Sequence, residues 1–226
     1  MNVTLSNLIA EKLIPLEGVT KQGPVRRAAT VYATDTPSDT IYFLESGYVK
    51  QLRKGSEGKE VLIGIIGPGQ IFGEQAIQEG AVRTSSAEML QDGTLYEIPR
   101  HIFVEFCRST PEAWQMVAEL LVDRSGSLEE KIGLLCLTDV EARILHYLES
   151  LAKVFGIDTS NGQEYSLPLS QSELATLIGA TRETTSTTLN TLARRGVLKL
   201  GRRLLTITST SALRFAMTQR AAKAAG

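Results

Sequence analysis

The feature of this sequence that most restricts its fold is a change in the spacing of apolar residues near Pro111. Across residues 25–99 the apolar residues form short runs, many of them separated by turns that contain glycine. Across residues 111–137 they recur at helical spacing, as they do on one face of an α-helix. Evenly spaced short strands favour an antiparallel barrel or jelly roll, so we predict an all-β domain followed by one long helix.

Six apolar runs are predicted as strands of the first domain, and they are residues 30–32, 40–44, 48–52, 60–66, 83–90 and 94–98. The runs 41–44 and 49–52 flank the segment Glu45-Ser46-Gly47-Tyr48. Two alternating runs joined by a short glycine-containing turn are typical of a β-hairpin, so we predict a hairpin here.

The predicted helix over residues 111–137 is longer than a small domain needs, because about 26 residues span roughly 39 Å. Its apolar positions are Trp114, Val117, Leu120, Leu121, Leu128, Ile132 and Leu135. We predict that this stripe packs against the same helix of a second copy and forms a homodimer. The alternative is a helix that lies only across its own barrel.

Residues 138–226 are predicted to form a winged helix-turn-helix. The capping box Ser170-Gln171-Ser172-Glu173 begins one helix, and Thr181 caps a second helix that runs to about Arg195. Two alternating segments follow as a two-stranded wing, and they are residues 197–200 and 204–208 around Gly201-Arg202-Arg203.

Charge is divided unevenly between the two parts of the chain. Residues 1–137 carry 13 Lys and Arg against 18 Asp and Glu, a net charge of −5, whereas residues 138–226 carry 11 against 7, a net charge of +4. Cations that neutralise phosphates release counterions and so drive binding to nucleic acid. A solvated basic face is the alternative interpretation.

The first turn of the second helix, Thr181-Arg182-Glu183-Thr184, has side chains that suit base edges in a major groove. Arginine matches the O6 and N7 acceptors of guanine and glutamate accepts from the N4 amine of cytosine, so Arg182 and Glu183 are predicted to read bases. The alternative for Glu183 is the acidic residue common in a first helical turn. Phosphate contacts are predicted for Ser170, Gln171, Ser172, Ser186, Thr187, Thr188, Arg202 and Arg203.

Residue counts argue against several cofactor classes. Cys107 and Cys136 are too few for a four-thiolate zinc or iron–sulfur site, and His101 and His146 are predicted to be structural residues and not haem ligands. No histidine cluster, dinucleotide-binding glycine motif or Gly-Lys-Ser/Thr triad is present, so we predict no metal and no enzyme. The sequence has neither a membrane-length apolar run nor a signal peptide, which predicts a cytoplasmic protein without a membrane partner.

Four segments carry a family resemblance, and they are Gly67-Pro68-Gly69-Gln70-Ile71-Phe72-Gly73-Glu74, Arg83-Thr84-Ser85-Ser86-Ala87, Glu130-Lys131-Ile132-Gly133 with Asp139, and residues 174–192. Over nearly its whole length the chain resembles the cyclic-AMP receptor protein and fumarate–nitrate regulator (CRP/FNR) superfamily of bacterial transcription factors. The resemblance implies an α+β fold with a cyclic-nucleotide-binding-type jelly roll (1–110), a dimerisation helix (111–137) and a winged helix-turn-helix (138–226). It also implies double-stranded DNA with a palindromic site and RNA polymerase as partners.

The resemblance places a cyclic nucleotide in the jelly roll. Arg83 is suited to the phosphate, Thr84 adds a hydroxyl donor, Gly73 lets backbone amides approach closely, and Glu74 can accept from the ribose hydroxyl. Arg124 matches an arginine close to the ligand in the family, and an exposed helix residue is the alternative. Without the resemblance, Glu74 and Arg83 are more typical of an ordinary ion pair.

Two departures from the family pattern leave the ligand and the operator open. Leu128-Glu129 replaces the Thr-Ser pair that reaches adenine in the cyclic-AMP receptors, so cyclic AMP, cyclic GMP and no nucleotide all remain possible. Glu129 can accept from an exocyclic amine, lie in solvent or pair across the dimer. Thr187 replaces a second base-reading arginine, which predicts a shorter readout or a shifted preferred sequence.

The function predicted from the sequence is a homodimeric DNA-binding transcription regulator controlled by a cyclic nucleotide. One alternative is a DNA-binding regulator of the same fold that responds to another effector or to none. The other is a regulatory module that does not bind DNA, or a barrel enzyme.

Overall fold

The computed structural model describes residues 4–55, 58–155, 165–201, 204–207 and 210–224 of the 226-residue chain. The chain forms two compact units, Met1–Leu128 and Glu129–Gly226. The boundary between them falls inside the long helix Pro111–Leu137, at the residue pair Leu128 and Glu129.

The described residues of the first unit contain eight strands: β1 (Thr20–Val25), β2 (Thr30–Tyr32), β3 (Thr40–Ser46), β4 (Val49–Lys54), β5 (Glu60–Ile66), β6 (Ile71–Phe72), β7 (Ser86–Met89) and β8 (Gly93–Pro99). They form two antiparallel sheets in the orders β1-β8-β3-β6 and β2-β7-β4-β5. All six apolar runs contain or overlap a strand, and β1 and β6 were not predicted. The two sheets confirm the predicted jelly roll.

The hairpin predicted around Glu45-Ser46-Gly47-Tyr48 is wrong. β3 pairs with β6 and β8, whereas β4 pairs with β5 and β7 in the other sheet. Gly47 has a φ of +84°, and a Cβ atom at this position would lie 2.8 Å from the backbone oxygen of Asp92. Glycine is therefore required where the chain turns from one sheet to the other.

Two apolar clusters stabilise the first unit. The cluster between the sheets contains Tyr32, Tyr42, Leu44, Val49, Ile66, Phe72, Ala87, Met89 and Leu95. The other cluster lies on the opposite face of the first sheet, the one that carries Ile41 and Phe43 of β3. Four segments pack against that face: α1 (Leu5–Leu8), the π-helical turn Ile9–Leu13, α2 (Arg100–Ser109) and α3 (Pro111–Leu137). Each fully buried apolar side chain, such as Phe103 of α2, stabilises the folded state by about 2 kcal/mol. The segments α1 and α2, which the sequence analysis did not predict, therefore contribute to the stability of this unit.

The second unit contains the elements of a winged helix-turn-helix. Its helices are α4 (Val140–Val154), α5 (Gln171–Leu177), α6 (Arg182–Arg194) and α7 (Thr210–Ala224). Its strands are β9 (Tyr165–Leu167), β10 (Leu198–Gly201) and β11 (Leu204–Ile207), in the antiparallel order β10-β11-β9. The predicted winged helix-turn-helix is confirmed, with β9 as a third strand beside the wing. The sequence analysis did not predict α7.

Local hydrogen bonds explain why the two central helices begin where they do. The Ser170 hydroxyl accepts from the backbone N–H of Glu173 at 3.1 Å, and the Glu173 carboxylate accepts from the backbone N–H of Ser170 at 2.9 Å. This is the predicted capping box. The Thr181 hydroxyl accepts from the backbone N–H of Thr184 at 3.1 Å and so caps α6, as predicted.

The turn between α5 and α6 depends on Gly179, whose φ is +64°. A Cβ atom at this position would lie 2.6 Å from Cδ2 of Leu135. We expect Gly179→Ala to lower the free energy of unfolding by about 2 kcal/mol, because alanine is disfavoured in this conformation and Leu135 must also move. Urea unfolding of the full chain, followed by circular dichroism, measures the change.

Gly196→Ala is the matched control for this prediction. Gly196 also has a positive φ, +75°, but nothing lies within 4 Å of a Cβ atom built there. We therefore expect a cost of about 1 kcal/mol from the backbone conformation only. Equal losses in the two variants would show that packing against Leu135 contributes nothing.

The two cysteines differ in exposure, and His146 contacts two polar side chains. Cys107 is buried in α2, and burial raises the pKa of its thiol to about 11, which makes it an unreactive core residue. Cys136, in contrast, is exposed. His146 Nε2 lies 3.6 Å from a Glu130 carboxylate oxygen and 3.5 Å from the Ser150 hydroxyl.

Over the described part of the chain, no helix combines the length and the hydropathy needed to cross a membrane.

Candidate functional site

The first unit contains a buried arginine at the end of the loop that leads into β7. Arg83 is only 1% exposed, and its Nη1 donates a hydrogen bond of 2.8 Å to the backbone oxygen of Gly73. Its Nη2 donates to the backbone oxygen of Thr40. The guanidinium carbon lies 4.3 Å from the ring centroid of Tyr32 and 5.7 Å from that of Tyr42. All four of these partners are electrically neutral.

The positive charge of Arg83 is buried. Among the described residues, no carboxylate forms an ion pair with Arg83. Removing a charged group from water costs several kcal/mol, and neutral carbonyls offset only part of that cost. A small anion next to this guanidinium would supply the missing negative charge.

Glu74 begins a short 3₁₀ turn, Glu74–Ile77, and pairs with Arg124 of α3. Arg124 Nη2 also donates a hydrogen bond of 2.6 Å to the backbone oxygen of Ile71. The alternative in which Glu74 and Arg83 form an ordinary ion pair is therefore wrong, and Arg124 is not a free surface residue. The second carboxylate oxygen of Glu74, Oε2, is buried and has no hydrogen-bond partner among the described residues. It can accept a hydrogen bond from a ligand hydroxyl.

Gly73 allows Arg83 to lie close to the chain that carries Glu74. Its φ is +76°, and a Cβ atom at this position would lie 2.7 Å from Arg83 Nη1 and 3.1 Å from Tyr42 Cδ2. The exposed Thr84 accepts a hydrogen bond of 2.5 Å from Gln75 Nε2. Because its oxygen is the acceptor in this bond, the Thr84 hydroxyl keeps its own proton for an anionic ligand.

The structure thus brings together Gly73, Glu74, Arg83, Thr84 and Arg124, five of the six residues predicted for the effector site. The sixth, Glu129, is an exposed residue of α3 and belongs to the second unit. The sequence analysis missed Thr40, Tyr32, Tyr42 and Gln75, which contact members of this set. No sequence signal marks these four residues. The rings of Tyr32 and Tyr42 are common in any strand, Thr40 contributes only its backbone oxygen, and Gln75 is an ordinary polar residue.

The second unit exposes one face of α6. Thr185, Leu189 and Leu192 are buried against the rest of the unit. The predicted base-reading residues Arg182 and Glu183 are exposed, and so are Thr181, Thr184 and Thr187, while Ser186 and Thr188 are half-buried. Neither Arg182 nor Glu183 forms an ion pair with any residue that the structure describes. This face can therefore meet a nucleic acid without breaking an intramolecular ion pair.

The residues predicted to contact phosphates have different surroundings. The Ser170 hydroxyl is engaged in the capping box, where it also donates to Glu173 at 2.8 Å. Gln171 is half-buried and Ser172 is exposed in the first turn of α5. Arg202 and Arg203 lie outside the described residues.

Two other cations of this unit are paired within it. Arg195 pairs with Glu141 at 2.6 Å, and Arg214 lies 3.6 Å from Glu149. These contacts reduce the part of the positive charge that is free to face a nucleic acid.

A two-sheet jelly roll with a buried arginine, followed by a winged helix-turn-helix, defines a DNA-binding transcription regulator with a cyclic-nucleotide-binding domain. Two family models agree with this class. Residues 24–110 match the cyclic nucleotide-binding domain, and residues 142–216 match the Crp-like helix-turn-helix domain. The chain belongs to the CRP/FNR family of transcription regulators.

Relatives of known function support the same assignment. The CRP-like cAMP-activated global transcriptional regulator of Mycobacterium tuberculosis is 33% identical over 174 residues, which cover 77% of this chain and 78% of that protein. The cyclic AMP receptor protein of Thermus thermophilus is 29% identical over 161 residues, 71% of each chain. Among solved structures, FixK2 of Bradyrhizobium japonicum has a TM-score of 0.73 at 20% identity, and the match covers 88% of this chain and 96% of that one.

Proposed function

We propose that the chain is a homodimer that binds a palindromic promoter site through two copies of α6, and that cyclic AMP in the jelly roll controls this binding. The observation that carries the ligand assignment is the buried guanidinium of Arg83, whose hydrogen-bond and stacking partners are neutral. A cyclic nucleotide offers one phosphate anion, one free ribose hydroxyl and one base, and the first two have matching groups in this pocket.

The phosphate has two matching groups. A guanidinium has five N–H donors, and Arg83 uses two of its nitrogens for the carbonyls of Gly73 and Thr40. Donors therefore remain for phosphate oxygens, in the charge-assisted bonds that arginine forms best. The Thr84 hydroxyl supplies one more donor beside Arg83 in the sequence.

The ribose hydroxyl has a matching acceptor in Glu74. The unpaired Oε2 atom is buried, and an unsatisfied buried acceptor costs about 1–3 kcal/mol, which a ligand hydroxyl would recover. Because the other oxygen pairs with Arg124 of α3, a ligand that binds Glu74 also acts on an ion pair of the long helix. This gives a physical route by which the pocket influences the helix that joins the subunits in our proposal.

The base has no matching group among the contacts of the pocket residues described above. Glu129 can accept from the exocyclic amine of adenine or of guanine, so a carboxylate there does not by itself choose between cyclic AMP and cyclic GMP. We propose cyclic AMP because the Mycobacterium tuberculosis relative, 33% identical, is named a cAMP-activated regulator.

The proposed dimer interface is the apolar stripe of α3. Leu121, Leu128 and Leu135 repeat every seven residues, and Ile132 lies four residues after Leu128, which is the pattern of a coiled-coil seam. In the single chain Leu128 is 58% exposed and Ile132 is 61% exposed. Leucine at one seam position and a β-branched residue at the other favour a parallel two-stranded pairing.

The proposed DNA contact uses the exposed face of α6. Arg182 is assigned to a guanine and Glu183 to a cytosine, while the hydroxyl side chains nearby and the arginines of the wing are assigned to phosphates. Parallel dimerisation would place two such helices on successive major grooves, about 34 Å apart. RNA polymerase is the further partner that we propose for the DNA-bound dimer.

A second candidate is a regulator of the same fold that responds to another effector or to none. It is favoured by the internal contacts of Arg83, because the guanidinium already has two carbonyl acceptors and an aromatic ring whose centroid lies 4.3 Å from its central carbon. Footprinting on a promoter library with and without cyclic AMP or cyclic GMP separates the two candidates. Binding only with a nucleotide supports the first, and binding that ignores the nucleotide supports the second.

Arg182→Ala tests the DNA assignment. We expect a loss of about 10–100-fold in affinity for the selected operator and little change for unrelated DNA, because a bidentate guanine contact contributes about 1–3 kcal/mol of discrimination. Competition binding against operators with single base changes measures this preference.

Arg194→Ala is the matched control, since Arg194 is an exposed arginine at the other end of the same helix. It should weaken binding to all sequences by a similar, smaller factor. If Arg182→Ala behaved in the same uniform way, Arg182 would be a phosphate contact and not a base-reading residue.

A further inference from the structure

Three aromatic rings stack beside Arg83 in the cluster between the two sheets. The ring centroids of Tyr42 and Phe72 are 5.1 Å apart, and those of Tyr32 and Tyr42 are 5.7 Å apart. Tyr32 is the ring closest to the guanidinium, with 4.3 Å between its centroid and Cζ of Arg83. Tyr32 comes from β2 in one sheet, whereas Tyr42 and Phe72 come from β3 and β6 in the other.

The ring of Tyr32 is itself held in place at its far end. Its hydroxyl accepts a hydrogen bond of 3.3 Å from Nε2 of Gln51 on β4. β2 and β4 lie in the same sheet and both pair with β7, which begins three residues after Arg83. The Tyr32 side chain therefore has one fixed end in the sheet and one face against the guanidinium.

The two hydrogen bonds to backbone carbonyls and the Tyr32 ring restrain the Arg83 guanidinium in different directions. Hydrogen bonds from Nη1 and Nη2 restrain the guanidinium within its own plane. They leave it able to move out of that plane, and the Tyr32 ring, whose centroid lies 4.3 Å from Cζ, opposes a displacement toward that ring. Arg83 is also almost completely desolvated, the condition in which a cation–π contact is strongest.

We propose that Tyr32 is a positioning residue that fixes the plane of the Arg83 guanidinium and so aims its remaining N–H donors at the anionic group of the ligand. This inference rests on the proposed function, because it concerns how the same pocket recognises the phosphate of a cyclic nucleotide. Neither its spacing nor its residue type distinguished Tyr32 in the sequence. Tyr32 acts through Arg83, and the hydroxyl contributes only through its bond to Gln51.

The first test uses the ligand-free full-length chain and nitrogen NMR of its arginine side chains. In the wild type and in Tyr32→Phe, rotation of the Arg83 guanidinium should be slow, because the ring remains in place. In Tyr32→Leu, rotation should be at least about tenfold faster, because the closer of the two ring contacts is lost and only the hydrogen bonds to two backbone carbonyls and the more distant Tyr42 ring remain. Equal rates in Tyr32→Leu and the wild type would overturn the inference.

Phe72→Leu is the matched control. Phe72 is fully buried in the same aromatic cluster, but among the described residues it has no cation–π contact with Arg83. The substitution removes an aromatic ring from the same core and should leave the rotation of Arg83 unchanged. A rate increase in Phe72→Leu as large as that in Tyr32→Leu would assign the effect to general loosening of the core and overturn the positioning role.

The second test uses calorimetric titration with cyclic AMP and with its two phosphorothioate diastereomers, in which sulfur replaces one or the other exocyclic oxygen. A guanidinium with a fixed plane directs its N–H donors at one particular exocyclic oxygen, so the two diastereomers should bind with different affinities. A guanidinium that moves out of this plane can reach either oxygen, so the two affinities should be similar. We expect Tyr32→Leu to weaken cyclic-AMP binding about tenfold and to bring the affinity ratio of the diastereomers close to one. Phe72→Leu should leave this ratio unchanged.

These outcomes separate the inference from the proposed function. A wild type that binds no cyclic nucleotide overturns the proposed function, and the rotation rates of Arg83 still decide the role of Tyr32. A wild type that binds cyclic AMP, together with a Tyr32→Leu variant that keeps the diastereomer ratio, overturns the inference and leaves the proposed function in place.

Discussion

Arg83→Leu is expected to lower the affinity for cyclic AMP by at least about 100-fold, to the limit of calorimetric detection. The substitution removes the cation proposed to bind the phosphate, in a site where burial makes a charged hydrogen bond stronger than in water. Losing two such bonds at about 1.5–3 kcal/mol each accounts for this factor. Titration of the purified full-length variant measures it.

The variant is expected to fold. Leucine removes a buried charge with which none of the described carboxylates pairs, a change that by itself is neutral or stabilising. Against this, the carbonyls of Gly73 and Thr40 lose their donor, at about 1–3 kcal/mol each. Arg83→Lys is a second variant that keeps the charge and changes only the geometry, and it should lose about tenfold in affinity.

Arg53→Leu is the matched control, because Arg53 is an exposed arginine of β4 in the same unit. It should bind cyclic AMP as the wild type does. If Arg83→Leu retained affinity within about threefold of the wild type, the phosphate would not lie at Arg83, and the second candidate function would be favoured.

The double substitution Leu128→Asp, Ile132→Asp is expected to convert the dimer into monomers. Each apolar side chain buried at an interface contributes about 2 kcal/mol, and the dimer contains two copies of both. Four carboxylates would also have to leave water, at a further cost. We therefore expect the dimer dissociation constant to rise at least about 1,000-fold and the affinity for a full palindrome to fall by a similar factor.

The single chain should tolerate this change, because both side chains are more than half exposed in it. Sedimentation velocity measures the oligomeric state, and thermal unfolding checks the fold. Ser127→Asp is the control, since Ser127 is an exposed neighbour on α3 that lies outside the apolar stripe. A double variant that remained dimeric would place the interface elsewhere on the chain.

Six of the eight described strands of the jelly roll and the long helix followed from the spacing of apolar residues. The run 60–66 matches its strand because a short, mostly apolar run between two turn glycines is typical of a strand. The 111–137 helix matches its predicted bounds because apolar residues at helical spacing extend from Trp114 to Leu135. These are local patterns, and local patterns are visible in a sequence.

The pairing of strands was not visible in the same way. The segment around Gly47 has the spacing and the glycine of a hairpin, yet β3 and β4 lie in different sheets. A left-handed glycine permits the chain either to fold back on itself or to cross between sheets. The choice depends on which strands far away in the sequence complete each sheet, and here β8 and β7 do so.

The bounds of α6 were predicted almost completely from the sequence. The capping box at Ser170, the cap at Thr181 and the exposed pair Arg182 and Glu183 are properties of a few consecutive residues. Each cap is a hydrogen bond between residues three positions apart, so the residue types and their order are sufficient to predict where the helix begins.

The sequence by itself determined the class of this protein: two domains of opposite charge, a jelly roll followed by a winged helix-turn-helix, and an arginine suited to a phosphate. Only the tertiary structure decided that Glu74 pairs with Arg124 and that Arg83 lies between backbone carbonyls under the ring of Tyr32. The physical reason is that residue types and spacings depend on neighbours along the chain. The partner of a buried charge depends instead on which distant segments the packing of two sheets and a helix brings within a few ångströms of it.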